Sequence, residues 1–129
     1  MNEQREPADG TAAASGSTCV LSERWVGRVV VIAVSGVVDM ITAPQLEEAI
    51  KASLGKTPEG IVVDLTEVEF LASAGMGILV AAHDEAPEGI GIHIAAEGAA
   101  TSRPLKLVGI ADIVPLHATL EEALAAFSS

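Results

Sequence analysis

Aromatic side chains are nearly missing from this 129-residue chain, which has one Trp, two Phe and no Tyr. Its core has to be assembled from Val, Ile, Leu and Ala, and a surface for nucleic acid would lack the rings on which bases stack. Positive charge is scarce too. Seven Lys and Arg stand against eighteen Asp and Glu, a formal net charge of −11. That is the wrong sign for a phosphate backbone, so no nucleic acid is expected as a partner. Cys19 is the only cysteine; no internal disulfide can form, which fits a reducing compartment. No run approaches the roughly 18 apolar residues of a membrane span. The N-terminus lacks the positive region and apolar stretch of a secretory signal. A cytoplasmic protein with no membrane partner is the expectation.

The chemistry of enzymes is missing as well. Ser73 lies in Ala72-Ser73-Ala74-Gly75, without the Gly-x-Ser-x-Gly frame of a hydrolase nucleophile. There is neither a Gly-rich lysine loop nor a dinucleotide fingerprint. His83, His93 and His117 are far apart in sequence and show no ligand spacing, so only folding could assemble a metal site. His93, on a predicted strand, reads as a surface or internally satisfied side chain. Nothing forms a general acid–base pair. No enzyme activity, cofactor or metal is expected.

What is present reads as one small α/β domain. Residues 1–18, rich in Ala, Ser, Gly, Glu and Pro, read as a disordered tail; residues 19–129 form the domain. Cys19 to Trp25 and Val29 to Ser35 predict a hairpin about Val26-Gly27-Arg28, its second strand the more buried. Thr42 with Gln45 reads as a capping box opening a helix with Leu46, Ala49, Ile50 and Leu54 on one face. Gly55 closes it and Pro58 prevents its return. Ile61-Val62-Val63-Asp64-Leu65 is a strand apolar enough to be covered on both sides.

A helix with Met76, Leu79 and Val80 inward follows Ser73 and fades near His83, and Ile92 to Ala96 is a fourth strand. Thr101 to Val108 is a helix with Leu105, Leu107 and Val108 as its apolar residues, ended by Gly109. Ile113 to Leu116 is a short strand, placed at an edge by Pro115. Thr119 and Glu122 form a second capping box, before a helix with Leu120, Ala123, Leu124 and Phe127 inward. The alternation gives a small mixed, mostly parallel sheet with an antiparallel first strand and helices packed beside it.

Ser73, at the join of a strand and a helix, has two compatible readings. It is an N-cap, or it is a phosphoacceptor at the positive end of a helix. No Lys or Arg occurs between Lys56 and Arg103, an interval holding eight carboxylates. Most of these read as solvated surface. Near Ser73 they favour a partner with basic or apolar groups. Asp39, by itself, reads as an ordinary loop carboxylate.

The segment Asp64-Leu65-Thr66-Glu67-Val68-Glu69-Phe70-Leu71-Ala72-Ser73-Ala74-Gly75-Met76-Gly77 resembles the signature of STAS domains, and more narrowly of bacterial anti-sigma factor antagonists. The resemblance extends over residues 19 to 127. It includes Gly36-Val37-Val38-Asp39 ahead of Thr42-Ala43, and the Arg103-Pro104-Leu105 and Thr119-to-Leu124 stretches near the C-terminus. It implies the STAS fold, Ser73 as phosphoacceptor and Asp39 as a nearby aid to phosphorylation. It also implies a protein that binds an anti-sigma factor and so frees a sigma factor. That anti-sigma factor would be a serine kinase using Mg-ATP, whose phosphorylation of Ser73 drives the two apart, and a serine phosphatase would reset the switch.

Expected partner contacts are Met40, Ile41, Thr42, Ala72, Ala74, Gly75, Met76 and Gly77, and a branched side chain at Gly75 is expected to block close approach. The sequence departs from the pattern twice. Ala72 stands where the family commonly has Asp, and Ala74 where it has a second Ser, which leaves Ser73 as the motif's one candidate. A second reading is a constitutive STAS subunit of a larger signalling or lipid-transport complex, indifferent to the state of Ser73. A serine hydrolase, which an acylating probe would label at Ser73, is the third and is not expected.

Overall fold

Successive residues of a strand face opposite sides of a sheet, and this fold buries both sides. The computed structural model describes residues 18–127, so the expected tail lies outside the described residues except for Thr18. The elements in chain order are β1 (Cys19–Val26), β2 (Val29–Val38), α1 (Ala43–Leu54), β3 (Gly60–Leu71), α2 (Ser73–Glu85) and β4 (Gly91–Ala95). They are followed by α3 (Ser102–Leu107), a 3-10 turn (Ile110–Asp112), β5 (Leu116–His117) and α4 (Leu120–Ala125). The sheet order is β1-β2-β3-β4-β5. β1 is antiparallel to β2, and the other pairings are parallel.

On one face, Val30, Ile32 and Val34 of β2, Ile61, Val63 and Leu65 of β3 and Ile92 and Ile94 of β4 meet Leu46 and Ile50 of α1 and Met76 and Leu79 of α2. On the other, Val29, Val31, Val62 and Ala95 meet Ala123 of α4, with Leu120, Leu124 and Phe127 around it. Strand runs apolar at every position are what burial on both faces requires. The edge strand β1 is mostly exposed. Its Trp25 is 40% exposed and donates its indole N–H to Glu23 at 3.1 Å. Glu23 also receives Lys56 at 2.8 Å, and this hydrogen bond in particular holds its carboxyl below the ordinary glutamate value.

Several local expectations change in the structure. Thr42 precedes α1 but does not cap it with its side chain. Its hydroxyl is turned back to the end of β2, donating to the Val37 carbonyl at 2.7 Å and accepting from the Asp39 N–H at 2.9 Å. Gly55 ends α1 in a right-handed conformation, and the left-handed residue is Thr57, at φ 50°. The Thr57 carbonyl accepts from the Arg28 guanidinium at 2.9 Å, one contact that helps hold a conformation threonine seldom adopts. Of the apolar residues of α3, Leu105 is buried, while Leu107 and Val108 are 76% and 60% exposed.

Ile113 and Val114 close a turn onto the Ile110 carbonyl instead of forming a strand. Pro115 leaves only its carbonyl for pairing, accepting from Ile94 at 2.9 Å, so β5 begins one residue later. At α4 the expected Thr119 cap forms, but the return bond of the box is made one residue earlier than expected. The Glu122 N–H donates to the Thr119 hydroxyl at 3.0 Å, and the Glu122 carboxylate accepts from the Ala118 N–H at 3.2 Å.

Because α4 has six residues, its cap carries much of its local stability. Thr119→Ala is expected to cost about 0.5–2 kcal/mol, read as a lower urea midpoint by circular dichroism. An unchanged midpoint would show that packing alone holds α4.

Candidate functional site

The parallel strands β2 and β3 end side by side, with Val37 opposite Phe70 and Val38 opposite Leu71. One more ladder bond follows, from the Ala72 N–H to the Val38 carbonyl at 2.8 Å. That bond keeps Ala72 extended, at φ −85° and ψ 168°, so the helix starts one residue later. Ala72 is therefore the N-cap and Ser73 the first helical residue, with no side-chain cap. The capping reading of Ser73 is corrected. Ser73 is exposed on the first turn, where the Gly75 N–H is already taken by the Ala72 carbonyl at 3.0 Å. No acidic residue lies in that turn.

The strand end beside it is a built loop. The Asp39 carboxylate accepts from the Ile41 and Thr42 N–H groups at 2.9 and 3.1 Å, and Thr42 ties the loop to Val37. With its backbone ends held, the loop carries Met40 and Ile41 outward, 78% and 63% exposed. Phe70, on the neighbouring strand end, is 54% exposed. These three exposed apolar residues, at the β2 and β3 ends that lead to Ser73, make an apolar rim at that end of the sheet, with exposed Glu67 and Glu69 on the same strand as Phe70.

The expected contact residues divide into two groups. Met40, Ile41 and Gly77 are exposed, and Ala72 and Ala74 are half-buried. Thr42, Gly75 and Met76 are inside the fold. A Cβ added at Gly75 would sit 2.5 Å from Cγ1 of Val38 and 2.8 Å from Cδ1 of Leu71. The glycine lets α2 seat against the strand ends, and a branched side chain there would act on the fold first. Phe70, exposed at the same end of the sheet, was not among the expected contact residues. Two register shifts between β2 and β3, at Ala33/Ser35 and Gly36/Val37, break the alternation that would have marked which way it faces.

Burial chiefly, and the nearby Asp39 charge, push the Cys19 thiol upward, away from the reactive thiolate. His93 and His117, remote in sequence, are brought by folding within 2.9 Å of one another, which gives His93 the internal partner that one of its two expected readings allowed. Among the described residues no group of three or more His, Cys, Asp or Glu could hold a metal. No helix among them is long and apolar enough to cross a membrane.

Residues 24–123 match the STAS domain. The chain belongs to the STAS domain family. Relatives of this STAS domain include the anti-sigma-F factor antagonist RsfB of Mycobacterium tuberculosis, 38% identical over 96 residues covering 74% of this chain and 79% of the relative. A crystal structure of an anti-sigma factor antagonist from Mycobacterium paratuberculosis is 39% identical, with a TM-score of 0.85 over 88% of this chain and 97% of the other. An anti-sigma-factor antagonist (STAS) domain protein from Planctomyces limnophilus shares the fold at 20% identity, with a TM-score of 0.68 over 83% and 96% of the two chains.

Two glycines of α2 separate packing from surface. Gly75→Ala is expected to lower stability by about 1–3 kcal/mol through overpacking. Gly77, where an added Cβ meets nothing within 4 Å, is expected to gain up to about 1 kcal/mol as Ala. Denaturant midpoints of the two variants check this, and a Gly75→Ala protein as stable as the parent would refute the tight seat of α2.

Proposed function

We propose that this chain is an anti-sigma factor antagonist: it captures an anti-sigma factor through the rim around Ser73 and so frees a sigma factor. The observation that carries the reading is an exposed serine at the first position of α2, at the end of the sheet where Met40, Ile41 and Phe70 are also exposed. It occurs in a domain whose relatives at 38–39% identity bear that name. Met40, Ile41 and Phe70 supply the apolar anchors, and Gly77 allows close approach. Asp39 supports the site by shaping the turn that presents Met40 and Ile41.

The partner is a serine kinase using Mg-ATP, and the site of transfer is Ser73. A phosphate adds roughly −1.5 to −2 charges at pH 7. In the free protein the N-terminus of α2 stabilises that charge. Against a partner, the same charge would have to be desolvated within an apolar rim, at a cost of several kcal/mol when uncompensated. Phosphorylation thus favours the free form, and a serine phosphatase restores the binding form. The setting is the cytoplasm.

One feature favours the second reading, a constitutive subunit of a larger signalling or lipid-transport complex. Ala72 leaves the residue before Ser73 without a carboxylate, and the first turn of α2 has no acidic side chain.

Calorimetric titration of the chain with the anti-sigma factor of its source organism decides between them. Tight binding by the parent and by Ser73→Ala is expected, with at least a tenfold loss for Ser73→Glu and for Met40→Glu. Incubation with Mg-ATP should add one phosphate at Ser73. Full affinity of Ser73→Glu would transfer the case to the constitutive subunit, and absence of binding by the parent would overturn the antagonist reading.

A further inference from the structure

The last helix is held to the sheet by little apolar surface. Beneath α4 the sheet offers Val29, Val31, Val62 and Ala95, none larger than valine. Its largest contribution is Phe127, whose ring occupies the place a Cβ would take on Gly60 and comes within 3.2 Å of the one Gly91 would carry. Gly60 and Gly91 are opposite one another on β3 and β4. A pair of glycines makes room for a ring but gives it no side chain to pack against.

Besides the small core beneath α4, the ring meets the imidazole of His93, its centroid 4.4 Å from that of Phe127 and its plane tilted by 48°. The Nδ1 of His93 lies 2.9 Å from the Nε2 of His117, with ring planes within 4° of parallel. A polar contact from His93 to the two-residue edge strand β5 and a ring contact from His93 to Phe127 therefore converge on β4.

Two imidazoles can keep such a bond in two states of charge. When both are neutral, one N–H donates to the other's lone pair. With one added proton the bond persists and is charge-assisted. With two added protons, N–H faces N–H and two positive charges stand 2.9 Å apart; the bond is lost and repulsion replaces it.

The other charged groups are few. From β3 the neighbours are Val62 and Gly60, which carry no charge. Glu97 and Lys106 line a surface hollow with His117. α4 brings Glu121 and Glu122, both exposed, the latter engaged with the Ala118 N–H. His83 acts from α2. Burial first, then the charges of His117 and His83, lower the His93 pKa from the ordinary histidine value. A lowered pKa means that the folded state disfavours the proton. The stability this contributes is complete above the unfolded value of about 6.5 and is lost as pH falls through the lowered one.

We propose that the His93–His117 pair is a proton-operated latch on α4: when both rings are charged they separate, and Phe127 leaves the Gly60–Gly91 seat. Phe127 also walls an open hollow of about 510 Å³ with Val26, Arg28, Val29, Glu59 and Leu124, so release enlarges that hollow and exposes the small core under α4. The latch is independent of the rim at Ser73. Gly60 begins β3 and Leu71 ends it, roughly 36 Å apart along an extended strand, so acid unlatches one end of the sheet and leaves the other formed.

The two phenylalanines of the sequence make the test direct. In protein labelled with 4-fluorophenylalanine, Phe70 is an exposed reference and Phe127 the reporter, and the fluorine solvent-isotope shift measures access of water to each. Between pH 7.5 and 5.0, still above the isoelectric point of about 4.4, the Phe127 shift is expected to rise to the Phe70 value while Phe70 stays constant. In His117→Gln, which cannot acquire the second charge, the Phe127 shift is expected to be flat; His93→Gln serves if that variant does not fold. A Phe127 shift independent of pH in the parent would overturn the latch. So would an equal rise in the variant, which would place the effect on carboxylates elsewhere.

Discussion

Between Gly75 and Val38 there is room for a hydrogen atom and little more. That constraint sets how deeply α2 sits against the ends of β2 and β3, and nearly everything about the Ser73 face depends on it. A side chain at position 75 would have to displace Val38 or Leu71, or lift the first turn of α2 from the strand ends; lifting it would lengthen the Ala72-to-Val38 bond. The small residues of this motif serve the inside as much as the outside. Gly75 and Met76 are packing residues, while Gly77, two positions from Gly75, is open to a partner. A run that reads as one recognition stretch is divided by helical geometry into a buried side and a presented side.

The rim combines two properties that compete. Three large apolar side chains stand in solvent at one end of the sheet, which favours association, and the carboxylates on the same strand disfavour association with acidic neighbours. In the proposed reading a partner must bring apolar surface and tolerate or neutralise acid. This is a stronger filter than either property alone, because the electrostatic part rejects wrong partners at small cost to the apolar contact with the right one. The loop behind the rim is fixed by hydrogen bonds from Asp39 and Thr42, so ordering it takes little further entropy on binding.

The parallel centre of the sheet was legible in the sequence because strands covered on both faces need unbroken apolar runs, and Val29 to Val34 and Ile61 to Leu65 are such runs. Helix α1 was legible from the spacing of Leu46, Ile50 and Leu54, and the cap of α4 from Thr119 and Glu122. What failed was local polar bookkeeping. Thr42 and Ser73 both have the chemistry of caps, but each position was decided by a bond from the end of β2, a tertiary fact that no window of sequence contains. The outward turn of Phe70 depends on two bulges, and the His93–His117 bond spans 24 positions across a parallel pairing. Side-chain type marked the candidate site, and strand register decides which of its residues are exposed.

The scarcity of aromatic residues has an optical consequence. With no Tyr and with Trp25 alone on the edge strand, half in solvent beside Glu23, the ultraviolet emission of this protein reports a hairpin edge and not its interior. The aliphatic core beneath α1 and α2 is dark at those wavelengths. A fluorescence trace would follow fraying of β1, and could move well before, or long after, the part of the molecule that carries Ser73.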